Sequence, residues 1–247
     1  MKDTITGRGK IRIGAATMEI AFTAPAGHCP PQAVLPDVQR FADQVTDRAV
    51  AGVEAAGLRI SCAKGCGACC RQMVPVSPVE ARHLAAVVAE MAPERAAAVR
   101  SRFAAAHATM EAAGLTPAGH PDDDKLPYRA YGLAYFRTGV PCPFLEDESC
   151  SIHPDRPLVC REYLATSPPA ACGVLGSGEV RKVAMPVRVW NVFARSSSPD
   201  GKAEWMPLIE ALSFAAQYPD STSDLTGPQH IEAFLKTLSQ RPDGPAA

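Results

Sequence analysis

Four thiols fall within nine residues, Cys62-Ala63-Lys64-Gly65-Cys66-Gly67-Ala68-Cys69-Cys70, a span too short to bury much apolar surface. Residues of this type at this spacing are metal ligands, because the thiolate is the donor that zinc and iron–sulfur centres take from protein. Gly65 and Gly67 flank Cys66, and glycine lets the backbone make the tight, partly left-handed turns that aim several N–H groups and sulfurs at one centre. The vicinal pair Cys69-Cys70 is harder to place on one tetrahedral ion, since neighbouring side chains in an extended or turn backbone diverge. Either one of the pair serves a second site or the centre is polynuclear.

A second group of four follows: Cys142, Cys150, Cys160 and Cys172. Pro141, Pro143, Pro154 and Pro157 are expected to hold its loop in a fixed, non-helical shape, which lowers the entropy cost of gathering ligands. A tetrathiolate around a divalent ion carries a formal charge of about −2, which cations and backbone donors must offset. Lys64, Arg71, Arg156 and Arg161 lie near cysteines in sequence and fit that need. His153 stands in a Pro-rich turn, where a ligand and a hydrogen-bonding role are both open.

The pattern C-x3-C-x2-C-C followed by C-P-F-L-x4-C-S-I-H-x2-R-P-x2-C-R resembles the YkgJ family of cysteine-cluster proteins, a zinc- or iron-chelating domain. The resemblance spans roughly Gly57 to Cys172 and leaves Cys29 outside. It implies metal chelation by the eight matching cysteines, Cys62, Cys66, Cys69, Cys70, Cys142, Cys150, Cys160 and Cys172. It implies no reaction.

Three function classes stand beside each other. The first is an iron–sulfur protein that works with a protein redox partner. The second is a structural zinc module whose helices offer an interaction surface. The third is a radical enzyme, because C-x3-C-x2-C is the radical-SAM spacing, but the chain lacks the repeated βα units of such enzymes. Eight thiolates with a vicinal pair favour the polynuclear iron–sulfur centre, since zinc fingers more often show paired C-x2-C knuckles. No nucleophile–base pair, phosphate loop or dinucleotide fingerprint is present, so no substrate is assigned.

The elements that must position these thiols are expected to be mainly helical with small β elements, forming an irregular, metal-stapled domain packed on helices. Residues 1–36 read as a hairpin and linker, 37–176 as the metal-binding domain, and 177–247 as an extended segment and helices packing on it. The hairpin is expected over Lys10 to Phe22, and Thr23 to Pro36, rich in Pro, Ala and Gly, as a linker holding Cys29. A helix from Asp37 to about Gly57 leads into the first group. Ser77-Pro78-Val79-Glu80 is a capping box opening a helix to about Met91, and Pro93 starts another that reaches Gly114. Thr116 to Pro127, with Asp122 to Asp124, reads as a solvated acidic connection, and Tyr128 to Arg137 as a short helix. Val183, Met185, Val187 and Val189 alternate, although Pro186 demotes the segment to an edge or a non-strand. Helices from Pro207 and Pro228 close the chain.

A hydrophobic fraction of 47% over 247 residues suffices for a core, and a net charge of −1 gives no field that would demand nucleic acid or an anionic membrane. The apolar run from Ile11 to Gly27 is interrupted by Arg12 and Glu19, against a secretory segment. The expectation is therefore cytoplasmic, where thiols stay reduced and clustered cysteines are ligands rather than disulfides.

Overall fold

A computed structural model describes residues 3–14, 16–115, 128–174, 180–219 and 223–240. The chain is mainly helical, with nine α-helices and three small two-stranded sheets among those residues. The expected acidic connection, 116–127, lies outside them apart from its neighbours.

The hairpin is longer than its apolar alternation suggests: β1 (Thr4–Ile13) pairs antiparallel with β2 (Ala16–Pro25), Ile13 facing Ala16 across a turn where Gly14 has φ 58°. Most of β1 is exposed, whereas β2 buries Met18, Phe22 and Ala24 at alternate positions. The segment read as a linker is instead bound into the body. Asp37 accepts the Thr23 N–H at 2.7 Å, Cys29 N–H donates to the Leu225 carbonyl at 3.1 Å, and His28 bridges Thr226. Its composition suits turns, but these partners sit far along the chain, where local composition carries no signal.

Helix α1 (Leu35–Ala55) begins two residues before Asp37 and buries Leu35, Val38, Phe41, Ala42 and Val45. It stops in a Schellman motif: Gly57 at φ 76° lets Gly57 N–H reach Glu54 O and Leu58 N–H reach Val53 O. The chain then turns into the first cysteine loop. After it come β3 (Pro75–Val76) and α2 (Pro78–Ala89), whose capping box is complete: Ser77 N–H donates to Glu80 Oε2, and Glu80 N–H to Ser77 Oγ. Helix α3 (Pro93–Ala112) ends on Gly114 by the same device as α1.

Helix α4 (Tyr128–Arg137) precedes the second group, which is less uniform than its prolines suggest. The strands β4 (Leu145–Glu146) and β5 (Ser149–Cys150) make a hairpin whose turn residues Asp147 and Glu148 both have positive φ, 48° and 54°. Helix α5 (Leu158–Glu162) then carries Cys160, and α6 (Pro169–Cys172) ends on Cys172. Proline preorganises entry into these pieces rather than excluding helix, because Pro157 and Pro168 stand as the N-caps of α5 and α6.

Val183, Met185, Val187 and Val189 are buried in alternation, yet only Lys182 of this stretch forms a bridge, to Ala165. It is an extended segment without a ladder, as Pro186 requires. Helix α7 (Val189–Ser196), β6 (Met206–Pro207, paired with β3), α8 (Ala211–Gln217) and α9 (Gly227–Ser239) complete the fold.

One cluster of buried residues joins the hairpin, α1, α7 and α9, centred on Phe234, which meets Phe22, Phe41 and Phe193 at ring distances of 6.0, 5.7 and 6.3 Å. Val79 and Leu158 belong to the same cluster, so α2 and α5 are packed on it. A second cluster, built from α2, α3, α8 and Phe144, contacts Cys142 and Cys150. The cysteine region therefore rests on both apolar clusters. No helix among the described residues is long and apolar enough to cross a membrane.

Candidate metal centre

The first group lies on a loop whose outer residues Ala63, Lys64 and Gly65 are exposed and whose end is a 3-10 turn, Ala68–Arg71. Cys66 N–H donates to Ala63 O and Cys70 N–H to Gly67 O, so the loop closes on itself. The 3-10 turn corrects the reading of the vicinal pair. Its winding brings the thiols of Cys69 and Cys70 into hydrogen-bonding contact, where an extended backbone would splay them apart.

The two groups meet directly. Cys142 N–H donates to Cys70 O at 2.7 Å, and Arg71 forms a two-pronged pair with Glu148 at 3.0 and 2.6 Å. Gly67 is needed at this seam, because a Cβ there would come within 2.7 Å of both the Glu148 carboxylate and Leu145. On the far side Ser61 N–H donates to Ala165 O at 2.9 Å, and Gln72 Nε2 donates to Cys172 O at 3.0 Å. The first loop is thus held between the β4–β5 hairpin and the segment that carries Tyr163 to Cys172.

These contacts enclose one cavity of about 130 Å³, and all eight cysteines of the two groups line it. Val74, Phe144, Ile152 and Leu208 supply apolar wall. Among the described residues no three Cys, His, Asp or Glu side chains are drawn together tightly enough to hold an ion as they stand. A bound metal must therefore pull thiols inward from the walls.

The chemistry of the walls fits that demand. Burial pushes the Cys142 thiol up to about 12 and the Cys160 thiol well above its ordinary range, and it raises Cys62, Cys150 and Cys172 as well. Cys69 is raised first by its hydrogen bond with Cys70 and then by burial. These are neutral thiols in an apolar pocket until a cation replaces their protons. Backbone donors are already in place for the charged form: Ala165 N–H points at Cys62, Phe144 N–H at Cys142 and Ile152 N–H at Cys150. Eight soft sulfur donors suit zinc or iron and do not suit the oxygen-seeking calcium or magnesium.

The cations divide their roles. Arg156 lines the cavity and favours the thiolates of Cys62, Cys69 and Cys150. Arg161 is a brace: buried to 5% exposure, it donates to Asp43 Oδ2 at 2.7 Å, to Arg156 O and to Pro154 O, fixing the turn before α5 against α1. Arg71 is committed to Glu148, and Lys64 stands at the exposed lip. His153 also lines the cavity, but its Nε2 is hydrogen-bonded to Arg156, which takes up that nitrogen.

Sequence reasoning missed Gln72, Tyr163 and Glu148. Tyr163 lines the cavity, is hydrogen-bonded to the Cys172 thiol and accepts a long 3.4 Å contact from Gln72. The signal for each was only nearness in sequence to a cysteine.

Cys29 is not at the cavity. It is buried where the start of α1 meets α9, its carbonyl facing His230 Nε2 at 2.9 Å. Cys29→Ser is expected to leave the metal content of the purified protein unchanged, measured as metal per chain, and a stoichiometric loss would refute that placement.

Neither the curated proteins nor the solved structures contain a match to the chain. A family description does match: residues 61–182 fit the model CxxCxxCC, "Putative zinc- or iron-chelating domain", and that stretch contains both cysteine groups and the whole lining of thiols. Residues 61–182 of the chain form a domain of this YkgJ-type cysteine-cluster family.

Proposed function

We propose that the eight thiols hold iron as iron–sulfur, with zinc as the alternative occupant, and that the protein passes electrons to or from a protein partner. The observation that carries this reading is the convergence of all eight cysteines on one apolar-walled cavity. A water needs roughly 10–15 Å³ of such space, so a cavity of about 130 Å³ has room for a polynuclear centre rather than one ion. An iron–sulfur centre bound there would supply one-electron redox chemistry. The chain supplies the thiolates, the N–H groups of Ala165, Phe144 and Ile152 that stabilise them, and the Arg156 charge that favours the electron-richer state. The exposed lip at Ala63 to Gly65 gives the partner its approach.

Protein purified without oxygen from iron-replete cells should be brown, contain iron and acid-labile sulfide, and bleach with dithionite. Zinc, with a filled d shell, shows neither colour nor redox change. Colourless protein carrying stoichiometric zinc would replace the iron–sulfur reading with a structural zinc centre.

A further inference from the structure

The N-terminal hairpin presents an unpaired strand edge. Ala26 N–H donates to Asp3 O at 2.8 Å, which sets the phase of the ladder. Asp3 and every second residue after it exchange bonds with β2, so Thr4, Thr6, Arg8, Lys10 and Arg12 turn their N–H and C=O groups the other way. Among the described residues nothing pairs with that edge. Folds usually shorten or cover such an edge, because it is a template for another strand. Here it runs the length of Thr4–Ile13, and every residue as far as Lys10 is exposed.

The two faces of β1 differ. One carries the cations Arg8, Lys10 and Arg12 at alternate positions with no acid between them. Lys10 meets Glu19 at 3.7 Å in an open pair, and Arg8 and Arg12 have no acidic partner among the described residues. The other face looks toward α9, and there β1 offers Gly7 and Gly9 in place of side chains. A Cβ at Gly7 would meet nothing within 4 Å, and one at Gly9 only Ile20, at 4.0 Å. The omission leaves a groove of about 640 Å³ between β1 and α9, lined by Phe22, Ile231 and Leu235. Glycine inside a strand often marks a place where another backbone comes close.

We propose that the free edge of β1 takes an extended segment of a partner protein as a third strand, one with acidic residues at alternate positions and apolar residues between them. The main chain of that segment pairs with the outward groups from Thr4 to Arg12. Its acidic side chains lie beside Arg8, Lys10 and Arg12, because neighbours across a ladder share a face, and its apolar side chains enter the groove against Ile231 and Leu235. Charge selects this occupant over a second copy of the chain, since an added β1 would bring its own three cations onto the same face. The proposal needs neither the metal nor the electron-transfer reading.

The full-length protein as purified is titrated, by fluorescence anisotropy, with a labelled synthetic peptide of about nine residues alternating glutamate with valine, and with the same residues in scrambled order. The alternating peptide should bind saturably, and the scrambled one at least about tenfold more weakly. Thr6→Pro deletes an outward N–H, keeps the backbone bonds to β2 and gives up only the exposed contact between the Thr6 and Thr23 hydroxyls. It should weaken binding about fivefold or more. Gly9→Val fills the groove and should weaken binding about tenfold or more. Arg8→Gln combined with Arg12→Gln should weaken binding at low salt and remove most of its salt dependence. Circular dichroism and metal content of these variants should match wild type. Amide exchange in the wild-type protein, read by NMR, is a test free of any variant: bound peptide should slow Thr6, Arg8 and Lys10. Absence of saturable binding, equal binding of the two peptides, or slowed exchange confined to α9 overturns the proposal. So does a wild-type dimer in sedimentation that Thr6→Pro dissociates, which makes a second copy the occupant. Dodecanoate bound in the groove and not displaced by the alternating peptide overturns it too, in favour of a small-molecule site.

Discussion

Glu80→Ala should destabilise the protein by about 3 to 5 kcal/mol and release metal, even though Glu80 is not a cavity residue. The carboxylate is buried to 1% exposure and does two jobs. One oxygen closes the capping box, accepting from Ser77 N–H at 3.0 Å and Ser77 Oγ at 2.9 Å; the other accepts from Leu158 N–H at 2.8 Å. Leu158 opens α5, two residues before Cys160, so this carboxylate latches the helix that carries Cys160 onto α2. Burial raises its affinity for a proton above the usual carboxylate range, and the donors from Ser77 and Leu158 oppose that effect only in part. Deleting it strands the donors in an apolar interior at roughly 1–3 kcal/mol each for those that water cannot reach. Ser77→Ala, which removes only the cap, should cost about 1 kcal/mol. Urea unfolding of both variants at matched metal loading separates the roles: equal losses would mean that the bond to Leu158 contributes nothing.

That latch shows where sequence reading stops. The capping box was legible because its partners are three residues apart, and its hydrogen bonds are as expected. The bond to Leu158 crosses 78 residues and leaves no local trace. The same division holds elsewhere. Helices α1, α3 and α9 were visible from apolar period, glycine stops and Pro starts, and the alternating burial of Val183 to Val189 followed from its pattern. The role of Thr23 to Pro36 was not visible, because Asp37, Leu225 and Thr226 hold it from outside the segment.

In the centre, all eight wall thiols were legible because cysteine is too rare and too clustered here to be packing alone. What surrounds them was not. Arg161 favours the Cys150 thiolate, as its nearness in sequence suggests, but its bond to Asp43, 118 residues away, also makes it a brace, and that was not legible. The vicinal pair departs from an extended backbone for a local reason: it lies in the 3-10 turn Ala68–Arg71, where the two thiols are in hydrogen-bonding contact.

Zinc binding to the stripped protein should tighten steeply with pH, by about tenfold per pH unit for every thiol that must give up its proton. The sign follows from the direction of the shifts. Cys142 sits at about 12 and Cys160 well above its usual value, so both are protonated throughout the range from pH 6 to 9, and each exchanges a proton for the metal. Free thiols in the unfolded chain titrate near 9.0, below these folded values. The metal-free fold therefore holds its protons more tightly than the unfolded chain does. Its thiol contribution to stability is fully present below about pH 9 and is lost as pH rises through the folded values. Metal affinity and metal-free stability thus move in opposite directions above that point. Below it, only the affinity changes. Competition with a chelator of known pH dependence, run at pH 6.5, 7.5 and 8.5, should give a slope of log affinity against pH of at least about 2, one proton each from Cys142 and Cys160. Cys160→Ser should flatten that slope as well as weaken binding. A slope near zero in the wild-type protein would mean that thiolates are already formed in the cavity, and the account of neutral, apolar walls would be wrong.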